Sequence, residues 1–267
     1  MKLHGVFALR GRFILVEMGK DSIIREATVL AVWMVIEMWK ETVIMNLFDI
    51  LGPVMVRPSS SHTAGAVRIG GMARRLLGSR PVCARIQLHG SFAATGKGHG
   101  TDRALVAGLL GMEPDDVRIP DSFAIAGEEG LEFTIQTIVL KDAHPNTAVL
   151  GVTGDNGEKL SMQASSLGGG QIRIDRLDGM QVNCKCQSPT LIVYNLDAPG
   201  CVAQITGHLF EKKINIANMS LYRNKKGGNA VMILELDQEV PEDFMEWLKT
   251  LENVERASYI RGNGYGL

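Results

Sequence analysis

The sequence predicts an α+β chain in which a mixed α/β domain is followed by a smaller domain with the element order βαββαβ. A helix-type pattern of apolar residues spans residues 64–77 and stops at Gly78. Segments that alternate apolar and polar residues, as half-buried strands do, recur after this helix. In the last third of the chain, strand-type and helix-type segments alternate and are separated by turn signals. With 267 residues, of which 45% are hydrophobic, the chain has enough apolar side chains for one or two cores.

The overall charge and the cysteine content limit the class of protein. The formal net charge is −1 and no run of basic residues occurs, so nucleic acid is not expected as the main partner. Four cysteines do not make a disulfide framework in a chain of this length, which favours a reducing, cytoplasmic setting. Two of them are separated by one residue, rather than by the two of common zinc and redox motifs. We therefore interpret all four as structural and expect no metal ligand in this chain: Cys83, Cys184, Cys186 and Cys201.

The first 44 residues differ in character from the rest of the chain. Residues 27–39 form an apolar run that Glu37 interrupts, and this run is shorter than the roughly 20 apolar residues that a membrane span needs. No small-residue cleavage site follows the basic N-terminal stretch, so a signal peptide is not expected either. Our hypothesis is that residues 1–44 are an atypical extension and that Met45 is the natural start. The alternative is a genuine helical extension that docks on a partner.

The mixed α/β domain is predicted over residues 45–187. After the first helix, we expect a strand at 82–89, a glycine-rich loop at 90–101, and a helix at 103–110 with Asp102 as its cap. The loop departs from the Walker spacing and from the dinucleotide fingerprint, but it brings backbone amides and Lys97 near an anion unless it is only a flexible connection. Further strand-type segments are predicted at 132–141, 148–153 and 171–175, and another segment begins at 160–163. Turns are predicted at 144–146, 155–157, 168–170 and 178–179.

The second domain is predicted over residues 190–262, after a boundary at residues 186–189. Its elements are a strand at 190–196, a helix at 201–212, strands at 214–222 and 229–236, a helix at 241–251 and a strand at 254–260. This order is the one found in ferredoxin-like domains.

The stretch 56–65 carries the densest group of chemically active side chains. Three consecutive serines, His62 and Thr63 stand directly before the first helix. Ser61 or Thr63 can cap the amides of its first turn, and unpaired amides at a helix start attract anions. A protonatable imidazole among these groups allows a small carboxylate to be held beside an acid or base. On the residues alone, ordinary helix caps and a surface histidine remain an open interpretation.

These motifs resemble those of a known enzyme family. Residues 51–65, with Gly-Pro followed by Ser-Ser-Ser-His-Thr-Ala-Gly, resemble the N-terminal signature of the iron–sulfur-dependent L-serine dehydratases, most closely the β subunit of the two-subunit form. Gly90-Ser91, residues 95–102 and residues 144–147 recur in the same family. The resemblance covers Met45 to the C-terminus. The second domain, with Asp197-x-Pro199-Gly200 in its first loop, resembles an ACT domain, a module that senses amino acids in many metabolic enzymes.

The resemblance implies a β-elimination of water from L-serine, which gives pyruvate and ammonia. A [4Fe–4S] cluster acts as the Lewis acid in this family, and its cysteine ligands lie in the α subunit or the α portion of a single chain. This chain would therefore be inactive alone and would lend its serine/histidine turn to a hetero-oligomer with an α subunit.

The resemblance also implies roles for individual side chains. His62 is expected to be the general acid or base. The substrate carboxylate is expected to bind Ser59, Ser60, Ser61 and Thr63, while His144 and Asn146 line or orient the same pocket. An effector is expected at Asp197, Pro199 and Gly200.

Two other interpretations stay open. The first domain is an amino-acid-binding module, which with the ACT domain makes a regulatory protein without catalytic role. Alternatively, the elimination acts on a related hydroxy- or thio-amino acid, since one methyl or sulfur changes binding by only about 1–3 kcal/mol.

Overall fold

A computed structural model describes residues 3–9, 12–18 and 60–262, and among these it describes the side chains of 62–94, 96 and 100–262. Within residues 3–18, strands β1 (Leu3–Leu9) and β2 (Arg12–Met18) pair as an antiparallel hairpin that our sequence analysis did not predict. The apolar run at 27–39, Met45 and Ser59 lie outside the described residues.

The N-terminal lobe is a six-stranded sheet with helices on one face. It starts with a π-helix (Ser60–Ala64) that continues directly into α1 (Gly65–Leu77). The following elements are β3 (Pro81–Gly90), α2 (Ser91–His99), α3 (Thr101–Leu109), a 3-10 turn (Ile119–Asp121), α4 (Ser122–Glu128), β4 (Glu132–Ile138), β5 (Asn146–Gly154), β6 (Lys159–Gly168), β7 (Gln171–Leu177) and β8 (Met180–Cys184). The strand order is β4-β3-β5-β6-β7-β8, and of the pairs in this sheet β3 and β4 are parallel while the others are antiparallel.

Alternation along the strands determines which face carries the helices. On β5, Ala148, Leu150 and Val152 are buried in the core, whereas Val149 and Gly151 lie on the other face. The core-facing residues of β5 pack against α1 and α2, and α3 packs on α1. Helix α1 lies over β6 and against α3, and the π-helix contacts α2, α3 and β6. The start of α1 is therefore placed above one end of the sheet, where β3 ends and β5 begins.

The C-terminal lobe is a four-stranded antiparallel sheet in the order β10-β11-β9-β12. Its elements are β9 (Thr190–Leu196), α5 (Cys201–Glu211), β10 (Ile216–Arg223), β11 (Asn229–Leu236), α6 (Glu242–Leu248) and β12 (Val254–Ile260). The predicted ferredoxin-like βαββαβ arrangement, and with it the α+β class, is confirmed.

The two sheets contribute to a common core cluster, and the C-terminal lobe has a second cluster of its own. On β9, Leu191 and Val193 pack with the helices of the C-terminal lobe, whereas Ile192 and Tyr194 belong to the core cluster of the N-terminal lobe. Val231, Ile233 and Ile260 join them there. The helix-free face of the C-terminal sheet is therefore covered by the N-terminal lobe.

The prediction of a glycine-rich loop at 90–101 was wrong, because most of this stretch is helix α2. Phe92 is fully buried and anchors the helix in the core. Gly96 faces β3 so closely that a Cβ there would lie 3.3 Å from Leu88 Cδ1. Glycine is a poor helix former in isolation, but here tertiary contacts outweigh its low propensity.

The predicted helix caps were also wrong where the structure describes them. Thr63 lies inside the π-helix rather than before α1, and its buried hydroxyl caps no described amide. Asp102 is the second residue of α3; the residue before that helix is Gly100, at φ 71°. Strand β8 was missed.

Candidate functional site

His62 lies in the π-helix, at the end of the sheet where β3 meets α2. Its Nε2 is 2.9 Å from the Ser91 hydroxyl, a normal hydrogen-bond distance. The imidazole also contacts the ring of Phe92 edge-on, with 5.6 Å between the ring centroids. The half-buried ring is thus held by two consecutive residues of the first turn of α2.

The backbone around Gly90 places Ser91 at this position. Gly90 adopts φ 59°, and the amide of Ser91 donates a hydrogen bond to the Pro145 carbonyl (2.8 Å). A Cβ on Gly90 would lie 2.5 Å from that same carbonyl oxygen, so only glycine fits. One short path therefore links His62, through Ser91, to the turn formed by residues 144–146.

His144 itself faces a different space. Its Nδ1 accepts a hydrogen bond from the Asn146 amide (3.1 Å), and its carbonyl accepts one from the Thr147 hydroxyl (2.6 Å). The imidazole lines a cavity of about 820 Å³ on the helix-free face of the sheet, together with Lys141, Arg173 and Asp175. The structure joins His144 to the His62 region through backbone, but it places the two imidazoles towards opposite faces of the sheet.

Two buried hydroxyls lie on the same face of the sheet as this cavity. The hydroxyls of Thr147 and Ser165 are 2.8 Å apart, and both residues are fully buried. Ser165 in turn donates to the Asp175 carboxylate, which also accepts a hydrogen bond from Arg173 Nε at 2.6 Å. Each hydroxyl therefore has an acceptor, which is the His144 carbonyl for Thr147 and Asp175 for Ser165.

On the helix face near His62, by contrast, several buried oxygens have no hydrogen-bond partner within the described part of the chain. They are Thr63 Oγ1, Thr101 Oγ1, Asn146 Oδ1 and Ser166 Oγ. The register that opposes Thr147 and Ser165 makes Asn146 and Ser166 cross-strand neighbours on the core side. A buried polar group without a partner costs about 1–3 kcal/mol, so this end of the core has hydrogen-bonding capacity that the described residues leave unused.

The structure describes only part of the other predicted carboxylate-binding residues. Ser59 lies outside the described residues, and Ser60 and Ser61 are described as backbone of the π-helix without their side chains. Their contact with a carboxylate stays a prediction. Sequence reasoning assigned no role to Ser91 or Ser166; the position of Ser91, directly after a glycine that ends a strand, was the available signal.

The predicted effector loop uses its carboxylate within the fold. Asp197 Oδ2 accepts hydrogen bonds from the Gly227 amide (3.0 Å) and from Arg223 Nη1 (2.8 Å). The Gly227 amide first, and Arg223 second, lower the pKa of Asp197 below its ordinary value. Pro199 and Gly200 are exposed, and Gly200 adopts φ 91° before α5. Effector binding at these three residues stays a prediction.

The cysteines do not form the ligand set of an iron–sulfur cluster. The sulfurs of Cys184 and Cys186 are 2.9 Å apart and buried, and the Cys184 hydrogen bond together with burial raises the pKa of Cys186. Cys83 is exposed on β3, whereas Cys201 lies in the C-terminal core. In the described part of the chain, no group of three or more His, Cys, Asp or Glu side chains could hold a metal ion.

None of the helices that the structure describes is long and apolar enough to cross a membrane.

This chain matches one protein family and is similar to several known proteins. Residues 44–176 match the family described as "Serine dehydratase beta chain". The "Probable L-serine dehydratase, beta chain" of Bacillus subtilis strain 168 is 38% identical over 215 residues, which cover 80% of this chain and 97% of that protein. The "L-serine dehydratase, beta chain" of Peptoniphilus asaccharolyticus is 36% identical over 216 residues, with 80% and 97% covered. A "D-3-phosphoglycerate dehydrogenase" of Methanocaldococcus jannaschii is 33% identical over 84 residues, 32% of this chain and 16% of that protein.

Proposed function

Because this chain belongs to the serine dehydratase β-chain family, we propose that it is the β subunit of an L-serine ammonia-lyase whose α subunit holds a [4Fe–4S] cluster. The observation that carries the proposal is the placement of His62. This imidazole is held at 2.9 Å by Ser91, at a helix start that lies within the family-matched region. The cluster is assigned to the partner because the described cysteines of this chain lie apart, as a buried pair and two isolated thiols.

The reaction needs two kinds of assistance. The proton on Cα of serine is weakly acidic and hydroxide is a poor leaving group, so a base must act at Cα while an electrophile acts on the hydroxyl. The cluster, when bound, supplies the electrophile. Elimination releases one water and leaves aminoacrylate, whose imine form takes up one water to give pyruvate and ammonia. His62 is the proton carrier that this chain contributes, because an imidazole changes its protonation state near neutral pH.

Other groups of this chain position the substrate. Backbone amides at the start of a helix favour a carboxylate, which suits the π-helix Ser60–Ala64 that carries His62. Asn146 Oδ1, an acceptor without a described partner, suits the substrate ammonium group.

Mutation of His62 tests the proposal in the enzyme reconstituted from both subunits. We expect His62→Ala to lower kcat for pyruvate formation from L-serine by about 10²- to 10⁴-fold, the usual contribution of a general acid or base. The matched variant His62→Gln keeps a polar side chain near Ser91 but cannot carry a proton, so it should lose activity to the same degree.

Two outcomes would contradict the proposal. Undiminished turnover in both His62 variants would remove this imidazole from the mechanism. Pyruvate formation by the purified chain alone would refute the need for an α subunit.

A further inference from the structure

Ser91 is the one described side chain whose hydrogen bond to His62 the structure defines, and neither the family match nor the proposed mechanism gives it a role. The Oγ–Nε2 distance of 2.9 Å is that of a normal hydrogen bond. The hydroxyl is not the cap of α2, because the capping residue is Gly90.

The position of Ser91 is fixed from three sides. Its amide is bound to the Pro145 carbonyl, at 2.8 Å. The preceding Gly90 fits against the same carbonyl without room for a side chain. The following Phe92 is fully buried and packs edge-on against the His62 ring. A hydroxyl held this firmly can orient an imidazole, because the orienting group does not itself have to be ordered first.

We propose that Ser91 is the positioning residue for His62: its hydroxyl binds Nε2 and thereby holds the imidazole in one orientation. A hydroxyl can either donate to Nε2 or accept from it, so this bond fixes the orientation of the ring rather than its tautomer. Ser91 acts through His62 and is not itself a proton carrier. This inference rests on the proposed function for its effect on turnover, but its effect on the imidazole is independent of that function.

The first test therefore reads the imidazole directly. The ¹⁵N chemical shifts of His62 are measured in the full-length chain without its partner, and the signal is assigned by its loss in His62→Gln. We expect the ¹⁵N shifts of His62 to change in Ser91→Ala, because Nε2 loses this hydrogen-bond partner, and the wild-type shifts to return in Ser91→Thr, which keeps the hydroxyl.

Ser122→Ala is the matched control for general destabilisation. It removes a buried hydroxyl of the same lobe, one that donates to the Arg103 carbonyl at 2.9 Å. The His62 signals should not change in this variant.

The second test reads turnover in the reconstituted enzyme. Ser91→Ala should lower kcat about 10- to 100-fold, the cost of a misplaced catalytic group, while KM for L-serine stays within about threefold. Ser91→Thr should restore most of kcat.

The two tests separate the failure of this inference from the failure of the proposed function. Unchanged His62 signals in Ser91→Ala overturn the positioning role, whatever the activity. Changed signals with recovery in Ser91→Thr support it, even if the His62 variants prove to be fully active.

Discussion

Asp197 illustrates how one residue with the features of a ligand-binding group can serve the fold. Its sequence setting, Asp-x-Pro-Gly after a strand, suggested an effector loop. In the structure its carboxylate accepts the Gly227 amide and the Arg223 guanidinium, and so it fastens the β10–β11 turn to the end of β9. The sequence could place the turn, but it could not show that the carboxylate has partners more than 25 residues away.

The lowered pKa of Asp197 predicts a loss of stability in acid. The Gly227 and Arg223 donors favour the carboxylate, so their stabilisation is complete above the ordinary pKa of 3.8, declines below it, and is absent below the lowered native pKa. We expect Asp197→Asn to have a lower Tm than the wild type at about pH 6, and this difference to shrink at about pH 3.

Thermal unfolding at both pH values measures the effect. Arg223→Gln, which leaves the Gly227 donor in place, should show a smaller difference of the same sign. A Tm difference that is the same at both pH values would contradict the assignment.

The interface between α1 and α3 depends on two glycines. A Cβ on Gly70 would lie 2.2 Å from the Leu105 carbonyl oxygen, and one on Gly108 would lie 2.0 Å from that of Val67. The helix backbones touch directly at this crossing. Because α1 directly follows the π-helix that carries His62, this contact also determines how far the imidazole lies from the sheet.

Gly108→Ala should therefore separate the two helices. We expect a loss of at least about 1–3 kcal/mol in the free energy of unfolding, the range of overpacked cores. Gly71→Ala is the matched control, since its Cβ would meet only the Gly108 carbonyl oxygen at 3.8 Å. Alanine should raise the stability there by roughly 0.5–1 kcal/mol through helix propensity.

Urea unfolding of both variants decides the point. Equal stability of Gly108→Ala and Gly71→Ala would refute the close packing of these helices.

The elements that the sequence predicted well are those whose pattern is local. Three strands of the C-terminal lobe coincide with their predicted bounds: Thr190–Leu196, Asn229–Leu236 and Val254–Ile260. Helix α1 ends at Gly78 as predicted, with φ 73° at that residue. Helix α2 was missed because it is stabilised by contacts made elsewhere, namely the buried Phe92 and the Gly90–Pro145 approach. The same reason hid Ser91, whose distance in sequence from His62 is 29 residues.

At the scale of residues 60–262, the two lobes are tied by polar bonds as well as by the shared core. Ser258 on β12 donates a buried hydrogen bond to the Leu76 carbonyl, near the end of α1 (3.1 Å). Arg256 on the same strand donates to Asp178 (2.8 Å) and lies 4.0 Å over the ring of Tyr194. The helix that follows the π-helix of His62 is therefore held at its far end by the C-terminal lobe.

Ser258→Ala should destabilise the chain, because it leaves the buried Leu76 carbonyl without this donor. The expected cost is about 1–3 kcal/mol in the free energy of unfolding. Thr250→Ala is the control: its hydroxyl also donates to a backbone carbonyl, that of Trp247 at 2.7 Å, but it is exposed and water can replace it. Equal costs in urea unfolding would contradict the view that the bond between the lobes is buried.

The two-sided burial of the C-terminal sheet has a consequence for whether this module can be transferred to another protein. Ferredoxin-like units recur as appendages of unrelated enzymes, which suggests a part that can be exchanged freely. In this protein, the sheet face opposite the helices of the C-terminal lobe bears Ile192, Tyr194, Val231 and Ile233. All four residues are buried by the neighbouring lobe. If the C-terminal lobe were fused to a different protein, this apolar surface would be exposed to water and would promote aggregation. The C-terminal lobe therefore depends on the N-terminal lobe to cover this apolar face, and the two lobes form one folding unit.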